Sequence, residues 1–124
     1  MNTTSDINYR MIDSRNELEN FARLLEAEKV VGVDLEADSM YHFKEKVCLI
    51  QMAAPKINVL IDPLAVKDLS LLKPIFKRRD ICKIYHGADY DVRSLYLDFR
   101  ITIDNLFDTE LATRFMGFQE TGQD

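Results

Sequence analysis

Two carboxylates two positions apart, Asp34 and Glu36, stand inside the apolar run Val30-Val31-Gly32-Val33-Asp34-Leu35-Glu36-Ala37. A valine-rich run predicts a buried strand, and ionised groups inside one are costly to desolvate unless a counter-charge meets them. Strand side chains alternate faces with period two. Asp34 and Glu36 therefore point the same way, with Gly32 beneath them, while Val31, Val33 and Leu35 point the other way. Both carboxylates can reach one divalent cation, the compensation this pattern calls for.

A second group of acids lies in Lys83-Ile84-Tyr85-His86-Gly87-Ala88-Asp89-Tyr90-Asp91-Val92. A strand ends at His86, Gly87 permits a tight turn, and a helix opens near Ala88 or Asp89, which makes Asp89 the expected N-cap or first-turn acid. Asp91 falls on the inward stripe shared with Ala88 and Leu95, where a carboxylate needs a partner. A hydrogen-bonded rim residue is the alternative. Asp108 precedes another apolar helical stripe and reads either as a helix cap or as an accessory acid. Neither His42 nor His86 forms a zinc site with Cys48 or Cys82 at a usual spacing, and an all-oxygen set of Asp and Glu suits Mg2+ or Mn2+ instead.

The elements that must position these groups alternate. Tyr9 to Ile12 predicts a short edge strand, and Ser14-Arg15-Asn16-Glu17 has the form of a capping box opening a helix that buries Leu18, Phe21, Ala22 and Leu25. Strands are expected over Val30 to Ala37, Val47 to Ala53 and Ile57 to Ile61, with a polar loop between the first two and a Pro55-Lys56 turn between the second and third. Such short connections imply antiparallel neighbours. Asp62-Pro63 closes this unit. Leu69, Leu72, Ile75 and Phe76 follow at helical spacing, Ile81 to Tyr85 reads as a fourth strand, and helical spacing resumes at Ala88 to Phe99 and at Leu111 to Met116. The natural architecture is mixed α/β, with helices against a partly antiparallel sheet.

The 124 residues, 47% of them hydrophobic, fit one domain with a modest core. No apolar stretch is long enough to span a bilayer and no secretion signal opens the chain, so a soluble, intracellular protein is expected, with both cysteines as small buried hydrophobes. The formal net charge is −5. That total argues mildly against nucleic acid, but phosphate contacts are local and a metal adds its own positive charge. Lys77-Arg78-Arg79 with Lys83 reads as solvated surface charge, whereas Lys44 and Lys46, which closely follow the carboxylate strand, read equally as solvated charge or as a binding patch.

Taken in order, Val33-Asp34-Leu35-Glu36, Val47-Cys48-Leu49-Ile50-Gln51-Met52, Leu60-Ile61-Asp62-Pro63-Leu64, His86-Gly87-Ala88-Asp89-Tyr90-Asp91 and Phe107-Asp108-Thr109 resemble the ribonuclease D branch of the DEDD 3′–5′ exonucleases. That branch includes bacterial ribonuclease D, the exosome-associated nuclease of eukaryotes and the Werner-type exonuclease domain. The resemblance runs from about Tyr9 to Met116. It implies a ribonuclease H-like fold and removal of nucleotides from a 3′ end with two divalent metals, Mg2+ or Mn2+. Asp34 would bridge both ions, Glu36 would bind the one that activates water, and Asp91 would support the second. Such a pair stabilises the attacking and leaving oxygens of an in-line displacement at phosphorus. The loop Ser39-Met40-Tyr41-His42-Phe43-Lys44 then gains a role. Tyr41 and Phe43 could stack on terminal bases, with His42 and Lys44 near a phosphate, or the aromatics could simply cover the sheet edge. His86 would lie near the terminal nucleotide.

The resemblance also implies a fourth carboxylate in a late Tyr-x-x-x-Asp or His-x-x-x-Asp segment, and no such segment follows Met116. The expectation is a single, incomplete exonuclease domain over residues 1–124, lacking the C-terminal part of the fold, with flexible tails at 1–8 and 117–124. Its activity should be impaired and its metals only partly bound. It is either a fragment of a longer active nuclease or a natural short product that has lost catalysis. The expected partners are 3′ ends of nucleic acid, RNA favoured over DNA, with no membrane and with self-association covering an exposed sheet face. The alternative is a catalytically inactive nucleic-acid-binding or protein-interaction scaffold. The location expected is intracellular, cytoplasmic if bacterial, and not secreted.

Overall fold

The Ser14 hydroxyl accepts the Glu17 amide at 3.3 Å, and Glu17 Oε1 in turn accepts the Asp13 amide, which completes the cap of helix α1 (Arg15–Leu25). The buried face of α1 is Leu18, Phe21, Ala22 and Leu25, the four residues its spacing predicts. The computed structural model describes residues 9–38 and 46–116. Around α1 run strands β1 (Arg10–Ile12), β2 (Val30–Asp38), β3 (Lys46–Ala54) and β4 (Ile57–Ile61). Short helices α2 (Pro63–Val66) and α3 (Lys73–Lys77) lead to β5 (Cys82–Tyr85), α4 (Ala88–Phe99), β6 (Leu106–Asp108) and α5 (Thr109–Phe115).

The six strands form one sheet in the order β1-β4-β3-β2-β5-β6, in which only β3 runs against the rest. The meander over β2, β3 and β4 is the expected one. Two elements are additional. Strand β6 is three residues long, too short to carry a periodicity, and Asp62-Pro63 opens α2 as well as closing the meander: the Asp62 carboxylate accepts from Leu64 and Ala65, with proline at the first helical turn.

The connections β1 to β2, β4 to β5 and β5 to β6 join parallel strands and all advance in the same direction across the sheet. Right-handed crossovers then carry their helices to one face. The burial pattern agrees. Ile12, Val31, Val33, Ile50, Met52, Val59, Ile61 and Tyr85 are buried in one continuous core with Leu18, Leu25, Phe76 and Leu95. Their strand neighbours on the opposite face, Met11, Gly32, Asp34, Gln51, Ala53, Leu60, Ile84 and Phe107, are half-buried or exposed. Among the described residues the sheet is thus covered on one side and bare on the other.

Lys83 departs from the sequence reading. It sits opposite Val31 on the covered face and is fully buried rather than solvated, because its Nζ donates to the carbonyls of Arg78 and Ile81, each at 2.7 Å. Burial lowers its pKa. Of the remaining basic cluster, Arg78 pairs with Asp80. Cys82 is a free, half-buried thiol on the bare face, not a core residue. In α5, Leu111 is exposed, so the stripe that its spacing predicts as buried stays uncovered there among the described residues. No helix among the described residues is long and apolar enough to cross a membrane.

Candidate active site

Strand β2 outruns its neighbour β5. The two pair only from Val30 to Gly32 against Cys82 to Ile84, while β2 continues to Asp38 along β3. This leaves a notch beside the far half of β2, and α4 starts at its mouth. Gly87 makes the turn from strand to helix with φ 72°, a left-handed conformation that suits glycine, and a Cβ there would stand 2.9 Å from Glu110 Oε1.

One carboxylate fixes this turn. Asp108 accepts the Gly87 amide at 2.9 Å and the Ala88 amide at 2.8 Å, and it also accepts the Glu110 and Leu111 amides as the N-cap of α5. These backbone donors, led by Ala88 and Gly87, hold its pKa down to about 2. Asp108 is therefore a cap, and of two helices. Asp89 does not cap α4: Gly87 is the N-cap, and Asp89 lies in the first turn facing Arg93 at 3.7 Å. Asp89 is thus the first-turn acid, the second of the two roles its position predicts, and the turn itself is capped by Asp108 from the neighbouring element.

Asp91 turns into the notch, where the Leu35 backbone N–H donates to its carboxylate. Its pKa is nevertheless raised, first by burial and then by the negative charge of Asp34. The β2 strand and the α4 helix thus bring two carboxylates within electrostatic reach. Asp34 and Glu36 share the bare face as their alternation predicts, but both are exposed there. The desolvation argument for a metal at that pair consequently weakens, because the buried side of β2 is the valine side. The unfavourable charge lies instead between Asp34 and the half-buried Asp91. Tyr85 adds to this: its hydroxyl is buried without a hydrogen-bond partner among the described residues, and burial, Asp91 and Asp34 push its pKa up. Sequence reasoning assigned Tyr85 no role beyond the strand.

A hollow of about 330 Å³ opens on the bare face, lined by Gly32, Asp34, Gln51, Ala53, Ile84, His86 and Thr109, among others. It holds Asp34 and His86 together. The His86 Nδ1 lies 2.9 Å from Thr109 Oγ1, which donates to the Tyr85 carbonyl at 3.1 Å. Tyr41, His42, Phe43 and Lys44 fall outside the described residues. Among the described residues, no three of His, Cys, Asp and Glu form a cluster able to hold a metal.

Comparison with known proteins settles what kind of domain carries this geometry. A 3′–5′ exonuclease family profile matches residues 9–122. The chain belongs to the 3′–5′ exonuclease family. It is similar to RRP6-like protein 3 of Arabidopsis thaliana, 38% identical over 105 residues, which cover 84% of this chain and 12% of that protein. Ribonuclease D of Bartonella henselae is 32% identical over 115 residues, 90% of this chain and 28% of that protein. Among solved structures, the catalytic core of RRP6 from Trypanosoma brucei superposes with a TM-score of 0.87 at 32% identity, over 93% of this chain and 32% of that one. Escherichia coli RNase D gives 0.87 at 26% identity, over 94% and 31%. The fold is therefore the ribonuclease H-like exonuclease fold of the RNase D and RRP6 branch. The chain spans between about an eighth and a third of the length of these relatives.

Proposed function

We propose that this chain carries the metal-binding half of a 3′–5′ exonuclease site, acting on 3′-terminal phosphodiester bonds of RNA to release nucleoside monophosphates. The observation that carries this reading is the convergence of Asp34 and Asp91 in the notch beside β2, each a carboxylate and one of them half-buried. Like charges so placed call for a cation, and an all-oxygen donor set suits Mg2+ or Mn2+. Asp34, Glu36 and Asp91 are the carboxylates that would hold such an ion, although as placed the three do not gather into one cluster. When bound, such ions stabilise the negative charge that gathers on the phosphate during hydrolysis.

The remaining work falls to the chain itself. The hollow beside Asp34 accepts the terminal nucleoside, with His86 at its wall. The loop with Tyr41, His42, Phe43 and Lys44 meets the bases and phosphates that follow. RNA is favoured over DNA because the relatives are named for ribonuclease D and for RRP6, and one of the solved neighbours was crystallised with an RNA. An intracellular location accords with such a substrate. Residues 1–124 themselves, which hold no Tyr-x-x-x-Asp after Met116, bind metal and 3′ ends but turn over slowly.

The test measures Mn2+-dependent release of mononucleotides from a 3′-labelled single-stranded RNA, alongside binding of the same RNA. Binding that needs Mn2+ and is lost in Asp34→Asn, with little release, is the expected result. Robust trimming that Asp34→Asn abolishes would sink the incomplete-site reading, and Mn2+-independent behaviour of both proteins would sink the metal site. A second reading, an inactive interaction scaffold, rests on the bare apolar sheet face. Self-association through that face is compatible with either.

A further inference from the structure

Alternation along β3 places Ile50 on the covered face and Leu49 on the bare one, so Val47 should fall on the bare face as well. It is buried instead, 2% exposed and part of the core. The register explains the reversal. Glu36 stands opposite Leu49 and Ala37 opposite Val47, which leaves Cys48 as an extra residue in a β-bulge beside the second carboxylate of the β2 pair. A bulge interrupts the ladder, and β4 pairs with β3 only from Ile50 onward, so the Val47 amide needs an acceptor from elsewhere. Asp98 of α4 supplies it, its Oδ2 accepting that amide at 2.8 Å. Asp98 lies in the last turn of α4, where the negative end of the helix disfavours an acid, so nothing in the helix itself calls for it there. Seven residues earlier, two turns along the same face, Asp91 accepts the Leu35 amide. One side of α4 thus holds an amide on each strand: Leu35, just before Glu36, and Val47, next to the bulged Cys48.

We propose that Asp98 is a positioning residue for the carboxylate group: by holding the bulge at Cys48 through the Val47 amide, it sets how the β2–β3 pair bends and so where Glu36 stands relative to Asp91. The inference rests on the metal-binding reading above and adds a residue to which that reading assigns nothing. A bulge bends its strand and increases the local twist, so its position decides how the stretch of β2 beyond Leu35 is aimed. The competing arrangement is an unbroken ladder. It would pair Ala37 with Cys48 and Asp38 with Val47, and it would turn Val47 out of the core. Burial of Val47 and its bond to Asp98 both favour the bulge. Because Asp91 and Asp98 share one face of one helix, the hold ties Glu36 on β2 to Asp91 on α4 directly, rather than through the rest of the sheet.

The test compares Asp98→Ala and Asp98→Asn, which keeps an acceptor oxygen, with Ser14→Ala, the loss of a cap on α1. In amide NMR the wild type should show backbone contacts across the Ala37–Val47 pair and a Val47 amide protected from hydrogen exchange. Asp98→Ala should lose both and bring Ala37 opposite Cys48. Retention of that pair and of the protection in Asp98→Ala would overturn the inference and leave the exonuclease reading intact. Titration with Mn2+, read by water-proton relaxation, supplies the second arm. Affinity should fall about tenfold in Asp98→Ala, the lower end of the loss when a group behind metal ligands is removed. In Asp98→Asn, whose bond to Val47 is neutral and weaker, it should fall about two- to threefold, with Val47 exchanging faster by a similar factor. Unchanged exchange and unchanged Mn2+ affinity in Asp98→Asn would overturn the inference even if Asp98→Ala does not fold. Ser14→Ala should lower Tm and bind Mn2+ as the wild type does. An affinity that simply follows Tm across the three variants would overturn the positioning role, and a wild type that binds no Mn2+ would overturn it together with the metal-binding reading.

Discussion

At the scale of single residues, the informative contrast is between Asp91 and Asp108, two aspartates 17 positions apart with opposite surroundings. Asp108 meets only donors, four backbone amides, and its pKa falls. Asp91 meets one amide, burial and another carboxylate, and its pKa rises. The signs for stability follow. A carboxyl raised in the folded state favours the protonated form, so Asp91 costs stability increasingly as pH rises through its folded pKa from below. At neutral pH with a chelator present, Asp91→Asn should therefore raise Tm by a few degrees, since the neutral amide oxygen still accepts from Leu35 and the repulsion from Asp34 is gone. Added Mn2+ should raise Tm of the wild type and leave Asp91→Asn nearly unmoved. Calorimetry with and without the ion checks both. A drop in Tm for Asp91→Asn in chelator would mean that the charge is stabilising and that Asp34 is not what opposes it.

At the scale of elements, Asp108 links the starts of two helices, reaching an amide 20 positions back, because a single carboxylate caps α5 and clamps the turn into α4. Its lowered pKa gives stability that is present above the unfolded value near 3.9 and is lost as pH falls toward about 2. Asp108→Asn should flatten the acid limb between those values, and Asp108→Ala should cost about 1–2 kcal/mol, the upper end of the usual loss for one cap. Urea titrations across that pH range provide the measurement, and parallel acid limbs in wild type and Asp108→Asn would refute the clamp. This linkage also marks what the sequence could carry. Capping of α5 by Asp108 is a local pattern and was legible, as were the face of α1, the meander and the shared face of Asp34 and Glu36. The second use of Asp108 was not, since it crosses from β6 to the β5–α4 turn. For the same reason the sequence left Asp89 between the N-cap and the first turn of α4, and it lies in the first turn. The burial of Lys83 was hidden likewise: a basic residue near Arg78 and Arg79 reads as surface until its strand register against Val31 sends it inward. The acidic pair was found for a reason that needed revising, because a valine-rich strand in a sheet covered on one side buries only its valine side.

At the scale of the molecule, that one-sided covering sets the behaviour of the chain as a whole. Among the described residues the core lies on the covered face. The bare face carries Met11 and Phe107 on its two edge strands, each 47% exposed, with Val30 at 43% and the half-buried Leu60, Ile84 and Cys82 between the edges. Apolar side chains exposed in this way on a sheet with open edges, though Gln51 and Asp34 stand between them, tend to be covered by association. Sedimentation velocity should accordingly show the sedimentation coefficient rising with protein concentration. Phe107→Ser combined with Met11→Ser should suppress that rise while changing Tm by little, about 0.5 kcal/mol or less in stability, because both side chains are already exposed. The direction matters for the site as well, since Asp34, Glu36 and the hollow with His86 open on the same face. If association buries that face, RNA binding and self-association must compete, and the double variant should bind a 3′ end more tightly at high protein concentration than the wild type does. A monomer at every concentration, or association unaltered by the two serines, would remove the bare face as its cause.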